Sequence, residues 1–219
     1  MSWAPLLLSL QIAAMATCVS VCLGVALALL LTWRRLPARL FLDAVVSAPL
    51  VLPPTVLGYY LLVALGVNSG VGRIWERLFG SSIVFTLTGA VIAATVGSLP
   101  LVVRAARTGL ESVDRTLVLA AHTLGAGPIR TFFTVVLPLA SPGIISGAML
   151  GFARALGDFG ITIMVAGSRV GSTQPASIFV YDSIQANRES DANRMAIVLT
   201  VVGITVLYVV NRLSRKHHG

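Results

Sequence analysis

Arg154 and Asp158 stand four residues apart at the end of a long charge-free run, so on a helix they share one face and can pair. Ionisable groups at membrane depth are costly and usually face each other or a cavity. A cation held there can attract an anion weakly enough to let it leave again, with the acid orienting the guanidinium. A purely structural pair is the competing reading. Hydrolytic chemistry has no support: the chain contains neither a Walker A pattern nor a G-x-S-x-G elbow, and no second acid accompanies Asp158 near membrane depth. No catalytic residue is therefore assigned, and the chain is not read as an enzyme. Cys18 and Cys22 lie one helical turn apart in an apolar run, which suits packing or lipid contact better than a disulfide or thiolate site. His122, His217 and His218 do not form a metal set by their spacing.

The elements that must position this pair follow from composition. Of 219 residues, 56% are hydrophobic and 11% charged, against about 25% charged in soluble domains. Stretches free of Asp, Glu, Lys and Arg cover 1–33, 44–72, 78–103, 131–153 and 195–211. Four exceed the roughly 20 residues needed to cross a bilayer as a helix, and the last sits at the lower limit. The expected architecture is an all-α integral membrane domain with five spans, at about 5–32, 44–66, 83–103, 132–153 and 195–212. The apolar segment 158–181 is interrupted by glycines, Arg169 and Pro175, and a sixth or partial span there stays open.

The net charge of +8 could suggest a nucleic-acid partner, but the positive residues cluster between apolar runs rather than along a stripe. Arg34, Arg35, Arg39, Arg104, Arg107, Arg115, Arg130, Arg212, Arg215 and Lys216 fall on one side of the expected spans. The excess of positive charge in short loops marks that side as cytoplasmic, with the N-terminus outside and the C-terminus inside. Segment 104–130 then becomes a cytoplasmic loop. Within it Asp114 can cap a helix that stops at Gly125, and its small Ala120 and Ala121 suit close docking into a groove. Gly143, Gly147 and Gly151 repeat every four residues and predict a helix face for close packing; next to a dimer axis, the same face could also slide. Pro49, Pro53 and Pro54 predict a bend in the second span, either for packing or to shape a path.

Ala120 and Ala121, Gly125, Val135, Leu137 and Pro138 carry the spacing of the EAA loop of ABC importer permeases. Leu119 stands where that family usually has Glu, and Val135 where it has Ile. The run 49–59, with Pro142-Gly143-Ile144-Ile145 and Phe152-Ala153-Arg154-Ala155-Leu156-Gly157-Asp158-Phe159-Gly160, resembles permeases of the molybdate type, and the last two patterns recur in sulfate, thiosulfate and tungstate permeases.

The resemblance implies an ABC importer permease fold, with a coupling segment at 115–127 gripping a cytoplasmic ATPase through Ala120, Ala121, Gly125, Leu137 and Pro138. It implies a homodimer in the inner membrane, fed by a periplasmic oxyanion-binding protein that meets the outer loop 171–194. ATP and Mg would belong to the ATPase, with no cofactor on this chain. Arg154, Asp158, Pro53 and Pro54 are the expected translocation-path residues, and molybdate the expected cargo. Two alternatives stay open: a permease for sulfate, thiosulfate or tungstate, and a membrane anchor that recruits a cytoplasmic partner without transport.

Overall fold

The computed structural model describes residues 3–32 and 38–215, so Arg34, Arg35, Lys216, His217 and His218 lie outside the described residues. Every element among the described residues is helical. The helices are α1 (Ala4–Thr32), α2 (Arg39–Val51), α3 (Pro54–Leu65), α4 (Gly70–Phe79), α5 (Leu87–Glu111), α6 (Arg115–Thr123), α7 (Pro128–Thr131), α8 (Leu137–Leu156), α9 (Gly160–Ala166), α10 (Ala176–Gln185) and α11 (Glu189–Arg215). A π-helical turn, Phe132–Val136, joins α7 to α8, so that Pro128–Leu156 runs as one membrane-length element.

Among the described residues four helical stretches are long and apolar enough to cross a membrane: Ala4–Thr32, Leu87–Glu111, Pro128–Leu156 and Glu189–Val209. The expected second span, 44–66, is not one helix. α2 and α3 meet at 116°, and counting the bent pair as one span brings the total to five. The cause is local. A residue before proline is pushed out of the α region, and two prolines in a row do this twice, leaving Leu52 at ψ 138° and Pro53 at ψ 135°. Pro54 then restarts the chain at the first position of α3, where its missing N–H costs nothing. Pro49 by contrast is absorbed inside α2. Segment 158–181 forms α9, a turn and the start of α10, helices of 7 and 10 residues that are each too short to span.

α5 is the buried centre of the bundle, with α1 and α8 against it. Its contacts are made by small residues. Ala13, Ala16, Ala90 and Ala94 pack with Ile12 and Leu156 at one level, and Ala28, Val103, Ala106 and Ala140 at another. Lipid supplies no hydrophobic drive between helices, so close backbone approach and interhelical hydrogen bonds must hold them together. Both occur: Ser20 pairs with Ser98 at 3.0 Å between α1 and α5, and the stripe of Gly143, Gly147 and Gly151 lies against α5 of the same subunit. A Cβ on Gly143 would stand 2.6 Å from the Cα of Gly109, and one on Gly151 2.7 Å from a methyl of Val102. The stripe is therefore occupied within the subunit.

The two contacts differ in what can yield. Gly143→Ala meets backbone and must push α5 and α8 apart, whereas Gly151→Ala meets a side chain that can turn. Gly143→Ala should cost about 1–3 kcal/mol and Gly151→Ala distinctly less. Thermal unfolding of the purified variants in detergent checks the order, and equal losses would contradict the backbone contact.

Candidate functional site

α8 ends at Leu156, and the chain turns through Gly157, Asp158 and Phe159 before α9 begins. Asp158 sits in this elbow, 3% exposed. One carboxylate oxygen accepts from the backbone amide of Thr162 at 3.0 Å and from its hydroxyl at 2.6 Å, satisfying a free donor in the first turn of α9. The other accepts from Nη1 of Arg154 at 2.8 Å. The carbonyl of Asp158 accepts from the Ser177 hydroxyl of α10 at 2.8 Å. A buried carboxylate is tolerable only when its lone pairs are filled in this way. Arg154 is placed differently: its side chain keeps 30% of its surface open while that of Asp158 keeps 2%. Only one guanidinium nitrogen is bonded to the acid, so further donors remain for another group.

The depth of this cation follows from its neighbour. Nη2 of Arg154 stands 3.6 Å from the point a Cβ on Gly97 would occupy. Gly97 lies roughly 15 Å from the Leu87 end of α5 and roughly 20 Å from its Glu111 end at 1.5 Å per residue, close to the middle of the membrane helix.

The prolines and the charged pair, well separated in sequence, meet in space. A Cβ on Gly160 would fall 2.8 Å from the Cβ of Pro54, and one on Gly58 would fall 2.8 Å from Met164 and 3.1 Å from the Cα of Ile161. The α2–α3 break thus lies on the α8–α9 elbow, with Pro53 and Pro54 exposed beside it. Leu57, Ile161, Val165 and Ala93 close the apolar side of this contact. Sequence spacing does not reveal the roles of Gly58, Gly97, Gly160 and Thr162. Gly58, Gly160 and Thr162 stand inside or beside motifs already singled out, whereas Gly97 carries no such signal.

Segment 115–127 lies at the Arg-rich end. Asp114 accepts from the Thr116 amide at 2.8 Å and caps α6. The Thr116 amide holds the Asp114 carboxyl below the usual carboxylate range. Because the folded group prefers the charged form, the cap is fully present at neutral pH and is lost only as the pH falls through that lowered pKa. Gly125, at φ 79°, ends the segment in the left-handed region, and His122 Nδ1 lies 3.0 Å from the Ala126 carbonyl oxygen. None of the residues of α6 is buried. Ala120 and Gly125 are exposed and Ala121 half-buried, with Leu119 63% and Leu124 88% exposed beside them. Leu137, half-buried, and exposed Pro138 begin α8 on the other side of the π-helical turn.

At the opposite end, Asp182 of α10 accepts from Ser168 at 2.5 Å and from Gln174 at 2.6 Å, and Tyr181 packs tilted against Phe159 with ring centroids 5.1 Å apart. Among the described residues no group of three or more His, Cys, Asp or Glu is arranged to hold a metal ion.

Comparison with known proteins gives this geometry its context. The chain is 42% identical over 99% of its length, and 96% of the relative's, to the molybdenum transport system permease protein ModB of Escherichia coli (strain K12). It is 40% identical to ModB of Haemophilus influenzae over 95% of this chain and 92% of that one. Against the sulfate transport system permease protein CysT of Escherichia coli (strain K12), identity is 33% over 88% of this chain and 69% of that one. Among solved structures, a permease chain of the MetNI methionine ABC transporter in inward-facing conformations superposes with a TM-score of 0.73 at 18% identity, covering 97% of this chain and 94% of that one. A chain of a bacterial ABC transporter that imports the acidic polysaccharide alginate gives 0.75 at 14% identity, over 97% and 78%. The fold is that of ABC importer permeases. Residues 20–217 match the model of the binding-protein-dependent transport system inner membrane component, and the chain belongs to that family.

Proposed function

We propose that this chain is the membrane permease of a molybdate importer. The observation that carries the reading is the unequal exposure of the Arg154–Asp158 pair: the acid is buried and spent on α9, while the cation opens part of its surface near mid-membrane. An anion meeting this site finds donors on Arg154 and no free carboxylate to repel it. One partly neutralised Arg attracts a dianion without trapping it. Pro53 and Pro54 border the same site, where freed backbone carbonyls and the bend can shape the passage. The relatives most similar in sequence and coverage carry molybdenum transport in their names, which makes molybdate the first choice of cargo.

Two copies would form the path between them, in the inner membrane, with α1, α8 and α11 turning apolar surface toward lipid or the partner. The Arg-rich end faces the cytoplasm, the N-terminus the periplasm, and no nucleic acid is bound. A separate ATPase, carrying ATP and Mg, takes α6 into a cleft, with Leu119 supplying apolar contact where the family pattern has an acid and exposed Leu124 beside it. ATP-driven closure of the ATPases opens the path outward, a periplasmic oxyanion-binding protein docks beside α10 and delivers the ion, and hydrolysis resets the pair. No chemistry on the substrate and no cofactor is required of this chain.

Uptake of labelled molybdate in cells lacking the chain, with sulfate and tungstate as competitors, tests the cargo. Uptake should vanish and return with the gene; sulfate uptake lost in its place would move the assignment to sulfate. Arg154→Gln should lower uptake at least tenfold and lower the unfolding temperature only modestly, because the glutamine amide can still donate to Asp158 and Asp158 keeps its bonds to Thr162. Asp158→Asn should instead destabilise the fold by about 1–3 kcal/mol, since it weakens a buried charge-assisted network. Asp114→Ala should loosen α6 and reduce the stimulation of ATPase activity by loaded binding protein, with substrate-independent ATPase activity retained. Stimulation unchanged in that variant would count against α6 as the coupling element.

A further inference from the structure

We infer that the cavity behind the coupling helix binds the phosphate headgroup of an acidic phospholipid, which braces α6 against the membrane spans. The cavity, of about 550 Å³, opens where the end of α1, the start of α2, the end of α5, α6 and the π-helical turn converge. Arg39, Arg107 and Arg115 line it, opposed by Glu111, while Val118 and Val136 form part of an apolar wall.

The charges are unbalanced. Arg107 is taken by Glu111 at 2.9 Å and by Asp43 at 3.2 Å, and Arg39 reaches the same oxygen of Glu111 only at 3.6 Å. Arg115 forms no ion pair among the described residues. Among the described residues three cations and one acid thus line the cavity, Asp43 takes Arg107 from outside the lining, and no ion pair takes Arg115. A free dianion has no use for the apolar wall; an amphiphile uses both halves, the headgroup on the guanidinium groups and the upper acyl chain against valine. The location fits as well, because the cavity lies at the ends of the membrane helices α1 and α5, the level of headgroups, and basic clusters there attract acidic lipid. The inference rests on the orientation proposed above, with this end in the cytoplasmic leaflet. Bound lipid would tie α6 to α1, α2 and α5 at once and make the lever that meets the ATPase rigid.

The test uses the assembled transporter purified in mild detergent. Native mass spectrometry after exchange into mixed phosphatidylglycerol and phosphatidylcholine should show phosphatidylglycerol retained preferentially, with retention falling about fivefold for each of Arg39→Gln and Arg115→Gln. Val118→Trp, which fills the wall and leaves the charges, should also lower retention. That variant guards against a charge variant that assembles poorly. In nanodiscs, stimulation of ATPase activity by loaded binding protein should be greater with phosphatidylglycerol than with phosphatidylcholine alone. Equal retention of the two lipids, or retention unaffected by all three variants, overturns the proposal. Displacement of the lipid by millimolar inorganic phosphate would reassign the site to a free anion. Labelling of the Leu117→Cys variant, above the level of the unsubstituted protein, by an impermeant reagent in whole cells would show instead that the orientation itself is wrong.

Discussion

A helix interrupted inside a bilayer exposes backbone groups that lipid cannot satisfy, and each costs several kcal/mol unless protein or water covers it. Among the described residues this chain breaks apolar helical segments at Leu52–Pro53 and at Gly157–Phe159. The structure meets the constraint by placing one break on the other and by filling the second with its own side chains. Asp158 takes the Thr162 amide and hydroxyl, Arg154 takes Asp158, and Ser177 takes the Asp158 carbonyl. Gly160 and Gly58 exist in this scheme to let Pro54 and α3 come close enough to seal the elbow.

The remainder of the bundle is arranged to hold that contact still. α9 is fixed through Phe85, whose amide donates to the Val165 carbonyl, and α10 through Ser9 of α1, which accepts from the Ala176 amide at 2.8 Å. α5 packs against α1, α8 and α9 as the central post, and α8, which carries Arg154, is set against it by glycine contacts, closest at Gly143, where a methyl group would meet backbone. Any tilt of α8 relative to α5 therefore moves the cation and the elbow together. α5 leads into α6 through three residues and α6 leads on through α7 and the π-helical turn into α8, so the element that would meet an ATPase is connected along the chain to the element that would meet the anion.

The charge excess divides along the same lines. Near mid-membrane a single partly open Arg is balanced by a buried acid. At the Arg-rich end Arg39, Asp43, Arg107 and Glu111 join α2 to α5 through partly exposed pairs, individually worth little in water-facing settings. Their value is in register: they hold the start of the broken span beside the stem of α6, and among the described residues none of these pairs takes Arg115.

Membrane class, the capped α6 and the pairing of Arg154 with Asp158 were legible in sequence, because each depends on spacing along one helix or on a run of apolar residues. The adjacent prolines announced a bend, though not a corner of 116°, since the angle depends on what α3 packs against once released. Gly143, Gly147 and Gly151 declared a close-packed face without naming its partner, for apolar surface looks alike whether it meets lipid, another subunit or α5. That Asp158 is buried while Arg154 stays open, that Pro54 rests on Gly160, and that four elements enclose a basic cavity behind α6 were decided only by the tertiary structure. Those are contacts between residues far apart in the chain, and local periodicity carries no record of them.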